Sequence, residues 1–78
     1  MNVSEAFGEV AGLIAEMAPE KVVALKAPPQ MSERVEELVA HKKAGNITTE
    51  ETVELERLLA LDLFIGLTKA RARIILAS

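Results

Sequence analysis

Residues Thr48–Leu76 read TTEETVELERLLALDLFIGLTKARARIIL, and this stretch decides the fold. It contains no proline, and its apolar residues recur at spacings of three and four, which is the period of an α-helix. Thr48 followed three residues later by Glu51 is the pattern of a capping box, in which each side chain accepts a hydrogen bond from the other residue's backbone N–H. The sequence therefore predicts one long helix that begins at Thr48.

The apolar residues of this helix form two stripes on roughly opposite sides of a 3.6-residue wheel. The first stripe consists of Leu58, Leu61, Ile65, Ala72 and Ile75. The second stripe consists of Leu55, Leu59, Leu63, Leu67, Ala70 and Ile74. Leaving five large aliphatic side chains of the second stripe in water forgoes about 7–15 kcal/mol, which is comparable to the whole stability of a small domain. We therefore expect the second stripe to be a partner interface.

A shorter helix precedes the long one. An apolar pattern over residues 33–44 stops at Gly45, a residue that takes the left-handed conformation at helix ends, and this predicts an αα-hairpin. Ser32 is the expected N-cap of the shorter arm. At 1.5 Å per residue this arm spans about 18 Å and the long helix about 42 Å. The shorter arm therefore covers only the beginning of the longer one.

The N-terminal part predicts weaker elements. Residues 4–17 have helical periodicity with Ser4 as the expected N-cap, and Pro19 opens a short helical pattern over residues 20–26. Pro28 and Pro29 are expected to end that pattern and to make residues 27–30 a rigid elbow. The first helix has the length to cover one side of the remaining long helix, and no helix is left for the other side.

These elements predict a single all-α domain over residues 1–78, with N-terminal helices and a proline elbow in 1–30 and a helical hairpin in 31–78. A chain of this length has a marginal core, and without cysteine it has no disulfide to stabilise it. We therefore expect a helical-bundle homodimer, because two-fold homodimers are the commonest assemblies. Insertion of a helix into a groove on a different protein is the competing arrangement.

Two segments of the sequence bear on the cellular location of the protein. The first 17 residues are interrupted by three glutamates, unlike a signal peptide, and the longest apolar window, residues 58–67, is too short to cross a bilayer. We expect a soluble, cytoplasmic protein that does not engage a membrane.

Charge is distributed unevenly along the chain. Residues 1–62 contain all twelve acidic residues, whereas residues 63–78 contain three cations, Lys69, Arg71 and Arg73, and no acid. These cations are expected to complement the helix dipole. The alternative is contact with an anion or with nucleic acid, as in a small dimeric DNA-binding regulator, although three charges are few for that role and the chain lacks tyrosine and tryptophan for base stacking.

No residue set points to catalysis. Two glutamate clusters, residues 33–37 and 50–54, lie at helix starts where acidic residues are common, so we expect solvated helix faces. His41 is the single histidine, and one ligand does not make a metal site. We expect a surface pairing for His41, and we expect no enzyme activity, metal or cofactor.

The segment ERVEELVAHKKAGNITTEETVELERLLALDLFIGLTKARARIIL, with PEKVVALKAPP upstream, resembles a group of short bacterial helical proteins frequent in cyanobacteria. The shared scaffold has the form ERLEELL…K..G.LT.EE..EL……LL.LAKARAR. The matching positions are Gly45, Thr48, Glu50, Glu51, Glu54, Leu55, Leu59, Lys69, Arg71 and Arg73. The resemblance implies an antitoxin-like or accessory protein associated with nucleases or toxins of the HNH or PIN type.

Overall fold

The computed structural model describes residues 1–78 and contains four helices and no strand. They are α1 (Val3–Met17), α2 (Pro19–Val23), α3 (Pro29–Ala44) and α4 (Thr49–Ala77). The all-α prediction and the long C-terminal helix are confirmed. None of the four helices combines the length and the apolar character needed to cross a membrane.

The chain forms two compact units. The terminal unit consists of Met1–Lys26 and Leu63–Ser78, and the hairpin unit consists of Ala27–Asp62. Helix α4 is uninterrupted over 29 residues, so its first half belongs to the hairpin unit and its second half to the terminal unit.

Both ends of the hairpin turn have the predicted caps. The backbone N–H of Thr48 donates to Glu51 Oε1 at 3.0 Å, and the N–H of Glu51 donates to Thr48 Oγ1 at 3.0 Å, which completes the capping box. Gly45 has φ of 78°, and its N–H donates to the Lys42 carbonyl at 3.1 Å. The N–H of Asn46 donates to the His41 carbonyl at 3.0 Å, so α3 ends in a Schellman motif.

Two predicted helix starts are wrong. Helix α1 is capped by Asn2, whose Oδ1 accepts from the Glu5 N–H at 2.8 Å, and Ser4 lies inside the helix. Helix α3 begins at Pro29, so Ser32 is likewise interior. Pro29 is tolerated there because a residue at the first helical position needs no N–H partner. The prolines therefore start α3, and the connection after α2 is residues 24–28.

Each unit buries few side chains. Leu38 and Leu55 are buried in the hairpin unit. In the terminal unit Ala11, Ala15, Ala72 and Thr68 are buried. The hydroxyl of Thr68 donates to the Phe64 carbonyl at 2.6 Å, so its burial leaves no unpaired polar group. Because the fully buried apolar residues of the terminal unit are alanines, its large aliphatic side chains lie outside the fully buried core.

Gly45→Ala tests the turn. We expect it to destabilise the fold by about 1–2 kcal/mol, because alanine at positive φ is strained. Gly12→Ala is the matched control, since Gly12 is helical and a Cβ there meets no atom within 4 Å. We expect it to stabilise the fold by about 0.5–1 kcal/mol. Denaturant titrations at one protein concentration measure both changes, and a neutral Gly45→Ala would contradict the left-handed turn.

Candidate interaction surface

The second stripe is largely exposed on α4. Leu63 retains 70% of its accessible surface, Ile74 65% and Leu59 49%. Leu67 and Ala70 are half-buried. Leu55 is 5% exposed and packs within its own unit, so it is not available to a partner. The exposed part of the predicted interface is therefore Leu59, Leu63 and Ile74, and Leu67 and Ala70 add part of their surface to it.

The first stripe is better covered by the chain itself. Ala72 is fully buried. Leu58, Ile65 and Ile75 are half-buried, and Leu61, at 48% exposure, is the exception. In the terminal unit the ring of Phe64, which borders this stripe, lies against Phe7 of α1 with 5.7 Å between ring centroids. The chain thus covers one side of α4 more fully than the other.

Charged residues flank the second stripe along one edge. At 100° per residue, Asp62, Lys69 and Arg73 fall within about 40° of one another on α4. Asp62 and Arg73 are exposed and Lys69 is half-buried. Arg71 is exposed and lies beside the opposite edge of the stripe. The stripe therefore has two unlike edges, one that carries both signs of charge and one that carries Arg71.

The helix dipole does not account for these cations. Helix α4 continues to Ala77, and its last turn contains no basic residue. The effect of the dipole falls off within the last turn of a helix. Lys69 in particular lies two turns from the C-terminus, so its position calls for a different explanation from the one expected from sequence.

Arg71 lies beside acidic residues of α1. It lines a hollow of about 490 Å³ in the terminal unit together with Glu5 and Glu9. Its Nη2 atom lies 3.6 Å from the position that a Cβ on Gly8 would occupy. Carboxylates next to a guanidinium weaken its attraction for phosphate, because they contribute the opposite potential. DNA binding by Lys69, Arg71 and Arg73 stays a prediction.

Helix α1 presents a second apolar surface, the α1 edge, in the terminal unit. It consists of Val3, Val10, Leu13 and Met17, which fall on one flank of the helix. Met17 is 82% exposed and Leu13 62%. Such a flank is larger than the scattered single aliphatics that are normal on protein surfaces.

Arg34 is the central polar residue of the hairpin unit. Its Nε and Nη2 donate to the two carboxylate oxygens of Glu54 at 2.6 and 2.8 Å, and its Nη1 donates to Glu37 at 2.8 Å. The hydrogen bonds from Arg34 hold the pKa of Glu54 below its ordinary value, and those to Glu54 raise the pKa of Arg34. A bidentate pair of this kind fixes geometry as well as charge. Arg34 therefore ties α3 to α4.

His41 adds a second tie between the same helices. Its Nδ1 lies 2.9 Å from Glu51 Oε2. An ionised carboxylate only accepts, so Nδ1 carries the proton in this contact. The pKa of Glu51 is lowered, chiefly by the hydrogen bond from the Thr48 backbone and further by His41. His41 thus pairs across the hairpin.

These contacts revise the expectation for the glutamate clusters. Glu51 and Glu54 of α4 pair with residues of α3, whereas Glu33, Glu36, Glu37 and Glu50 are exposed as predicted, and Glu37 pairs with Arg34 within α3. Sequence reasoning missed Arg34; the available signal was its spacing of three from Glu37.

Nowhere in the structure are three His, Cys, Asp or Glu residues grouped so that they could hold a metal ion.

No protein-family model, curated protein or solved structure matches this chain.

Glu54→Gln tests the Arg34 contact through pH. Because the folded pKa of Glu54 lies below the ordinary value of 4.5, its stabilising effect is complete above that value and is lost as pH falls through the folded pKa. We expect the free energy of unfolding of the wild type to fall between about pH 5 and pH 3. Glu54→Gln should show a smaller fall, measured by denaturant titration at each pH.

Glu33→Gln is the control, since Glu33 is exposed and forms no ion pair in the structure. It should keep the pH dependence of the wild type. If Glu54→Gln also kept it, the Arg34–Glu54 contact would not contribute to stability.

Proposed function

We propose that the chain is a non-catalytic protein–protein interaction module whose second stripe binds a helix of a partner. The observation that carries this proposal is the exposure of Leu63 and Ile74 on one face of an uninterrupted helix, at 70% and 65%. Both residues lie within the terminal unit, where the fully buried apolar side chains are alanines. Their exposed surface is thus available to an outside element.

The free energy gained by burying the exposed side chains supports binding at the second stripe. A fully buried large aliphatic side chain contributes about 1.5–3 kcal/mol. When this value is scaled by the exposed fractions of Leu59, Leu63 and Ile74, burial by a partner recovers about 3–6 kcal/mol per chain. Domains of this size have total stabilities of about 4–12 kcal/mol. Binding at the second stripe therefore matters for the fold as well as for the assembly.

The resemblance to short bacterial helical proteins supports a more specific role. We extend the proposal to an antitoxin-like or accessory protein that binds a nuclease or toxin. The α1 edge gives such a partner a second apolar surface apart from the second stripe, and the surplus of acidic residues in 1–62 complements the cationic channel of a nucleic-acid enzyme.

Leu63→Lys tests the proposal. The wild-type chain, of 8.4 kDa, should elute in an assembly larger than one chain when size-exclusion chromatography is combined with light scattering. Leu63→Lys should reduce the assembly to one chain, because it places a charge in the centre of the second stripe. Far-ultraviolet circular dichroism should remain helical.

Leu76→Lys is the matched control. It is the same substitution on the same helix, at a residue that is 44% exposed and lies outside the second stripe. It should leave the assembly intact. A wild-type chain that is a single, stably folded copy, with an unfolding midpoint independent of its concentration, would overturn the proposed function.

A further inference from the structure

The second stripe is complementary to a second copy of itself that runs in the opposite direction. Around the midpoint between Gly66 and Leu67, Leu59 corresponds to Ile74 and Leu63 to Ala70. Leu67 corresponds to Gly66. A Cβ built on Gly66 would meet no atom within 4 Å, so there is open space over this residue. In an antiparallel pair of α4 helices, large side chains thus face small ones at the centre and aliphatics face each other at both ends, as close packing requires.

The charged residues beside the second stripe are also complementary in the antiparallel pair. In an antiparallel two-fold pair, each edge of a stripe faces the same edge of the other copy. Position 62 then lies opposite position 71, so Asp62 falls between Lys69 and Arg73 of the second copy, about 3 Å along the axis from each. The edge that carries both signs of charge therefore pairs acid with base in each direction.

A parallel pair has the opposite electrostatics. There each edge faces the other edge, so Lys69 and Arg73 of one copy flank Arg71 of its neighbour. Glu5 and Glu9 of α1 lie beside Arg71, but residues 63–78 contain no acidic residue, so Lys69 and Arg73 of one copy still face a cation. Like charges juxtaposed across an interface oppose association.

We propose that a second copy of this chain covers the second stripe, with the two α4 helices antiparallel about Gly66–Leu67 and Asp62 of each copy beside Lys69 and Arg73 of the other. This inference rests on the proposed function, since it names the occupant of the same surface. It also accounts for Lys69, which lies too far from the end of α4 for the dipole to matter. The placement of these residues depends on α4 alone.

Charge exchange between two variants tests the pairing. Asp62→Lys alone, and Lys69→Glu with Arg73→Glu, should each weaken the dimer about tenfold or more, because each replaces attraction with repulsion in both halves of the interface. An equimolar mixture should recover a dimer with one copy of each, and the recovery should diminish with salt. Sedimentation equilibrium measures the dissociation constants, and Glu33→Lys, a charge reversal outside α4, should leave them unchanged.

The outcomes separate the two orientations. In a parallel pair the Lys69→Glu, Arg73→Glu variant would bind itself more tightly, because its new carboxylates would face Arg71, and mixing would recover nothing. That result would overturn the antiparallel inference and leave the proposed function standing. A pure chain that is monomeric and only marginally folded, and that becomes stably folded when a different protein binds the second stripe, would do the same.

Disulfide cross-linking gives an independent readout, because the chain has no cysteine of its own. A mixture of Leu63→Cys and Ala70→Cys should form a disulfide between the two variants under mild oxidation, since positions 63 and 70 face each other in the antiparallel pair. Leu63→Cys alone should form little, because its two copies are about 10 Å apart along the axis. Rapid disulfide formation by Leu63→Cys alone would overturn the inference.

Discussion

A helix that is apolar on two sides needs cover on both, and this constraint governs the whole chain. Helix α4 has 29 residues, and each of the other three is 16 residues or shorter. On α4, burial is most complete at Leu55 in the hairpin unit and at Ala72 in the terminal unit. Leu63 and Ile74 are left in water. Helices α1, α2 and α3 leave both residues largely exposed, which is why we propose them as part of the binding surface.

The hairpin unit fixes the N-terminal half of α4 against α3. Its apolar core is thin, with Leu38 and Leu55 as the buried side chains. Polar contacts supplement it: the bidentate Arg34–Glu54 pair, the His41–Glu51 pair and the Thr48–Glu51 capping box act on neighbouring turns. Glu51 belongs to two of these contacts, which joins the cap of α4 to its packing against α3. Surface ion pairs contribute little singly, but a connected network defines register.

Local signals explain what the sequence could predict. The capping box, the glycine at the end of α3 and the continuous helical period of α4 depend on residues within one or two turns, and the structure has both caps and one unbroken helix over Thr49–Ala77. Two starts were mispredicted because Asn2 and Pro29 compete successfully with the serines as helix starts. The Arg34–Glu54 contact joins residues 20 apart, and its choice of partner depends on the register between two helices, which no local pattern specifies.

The burial of Leu55 shows that the same limit applies to the proposed interface. By periodicity it belongs with Leu59 and Leu63, yet it is 5% exposed while they are 49% and 70%. A wheel assigns residues to a face, but whether that face is covered changes along the helix with what packs against each turn. The residues that remain exposed begin at Leu59, which lines an open hollow with Met31 and Val35 of α3, and continue to Ile74. Charge then becomes informative, because Asp62 lies at the acidic end of this exposed segment and Lys69 and Arg73 at the basic end. An arrangement with unlike ends is complementary to its own reverse, which is why we propose a second copy as the occupant.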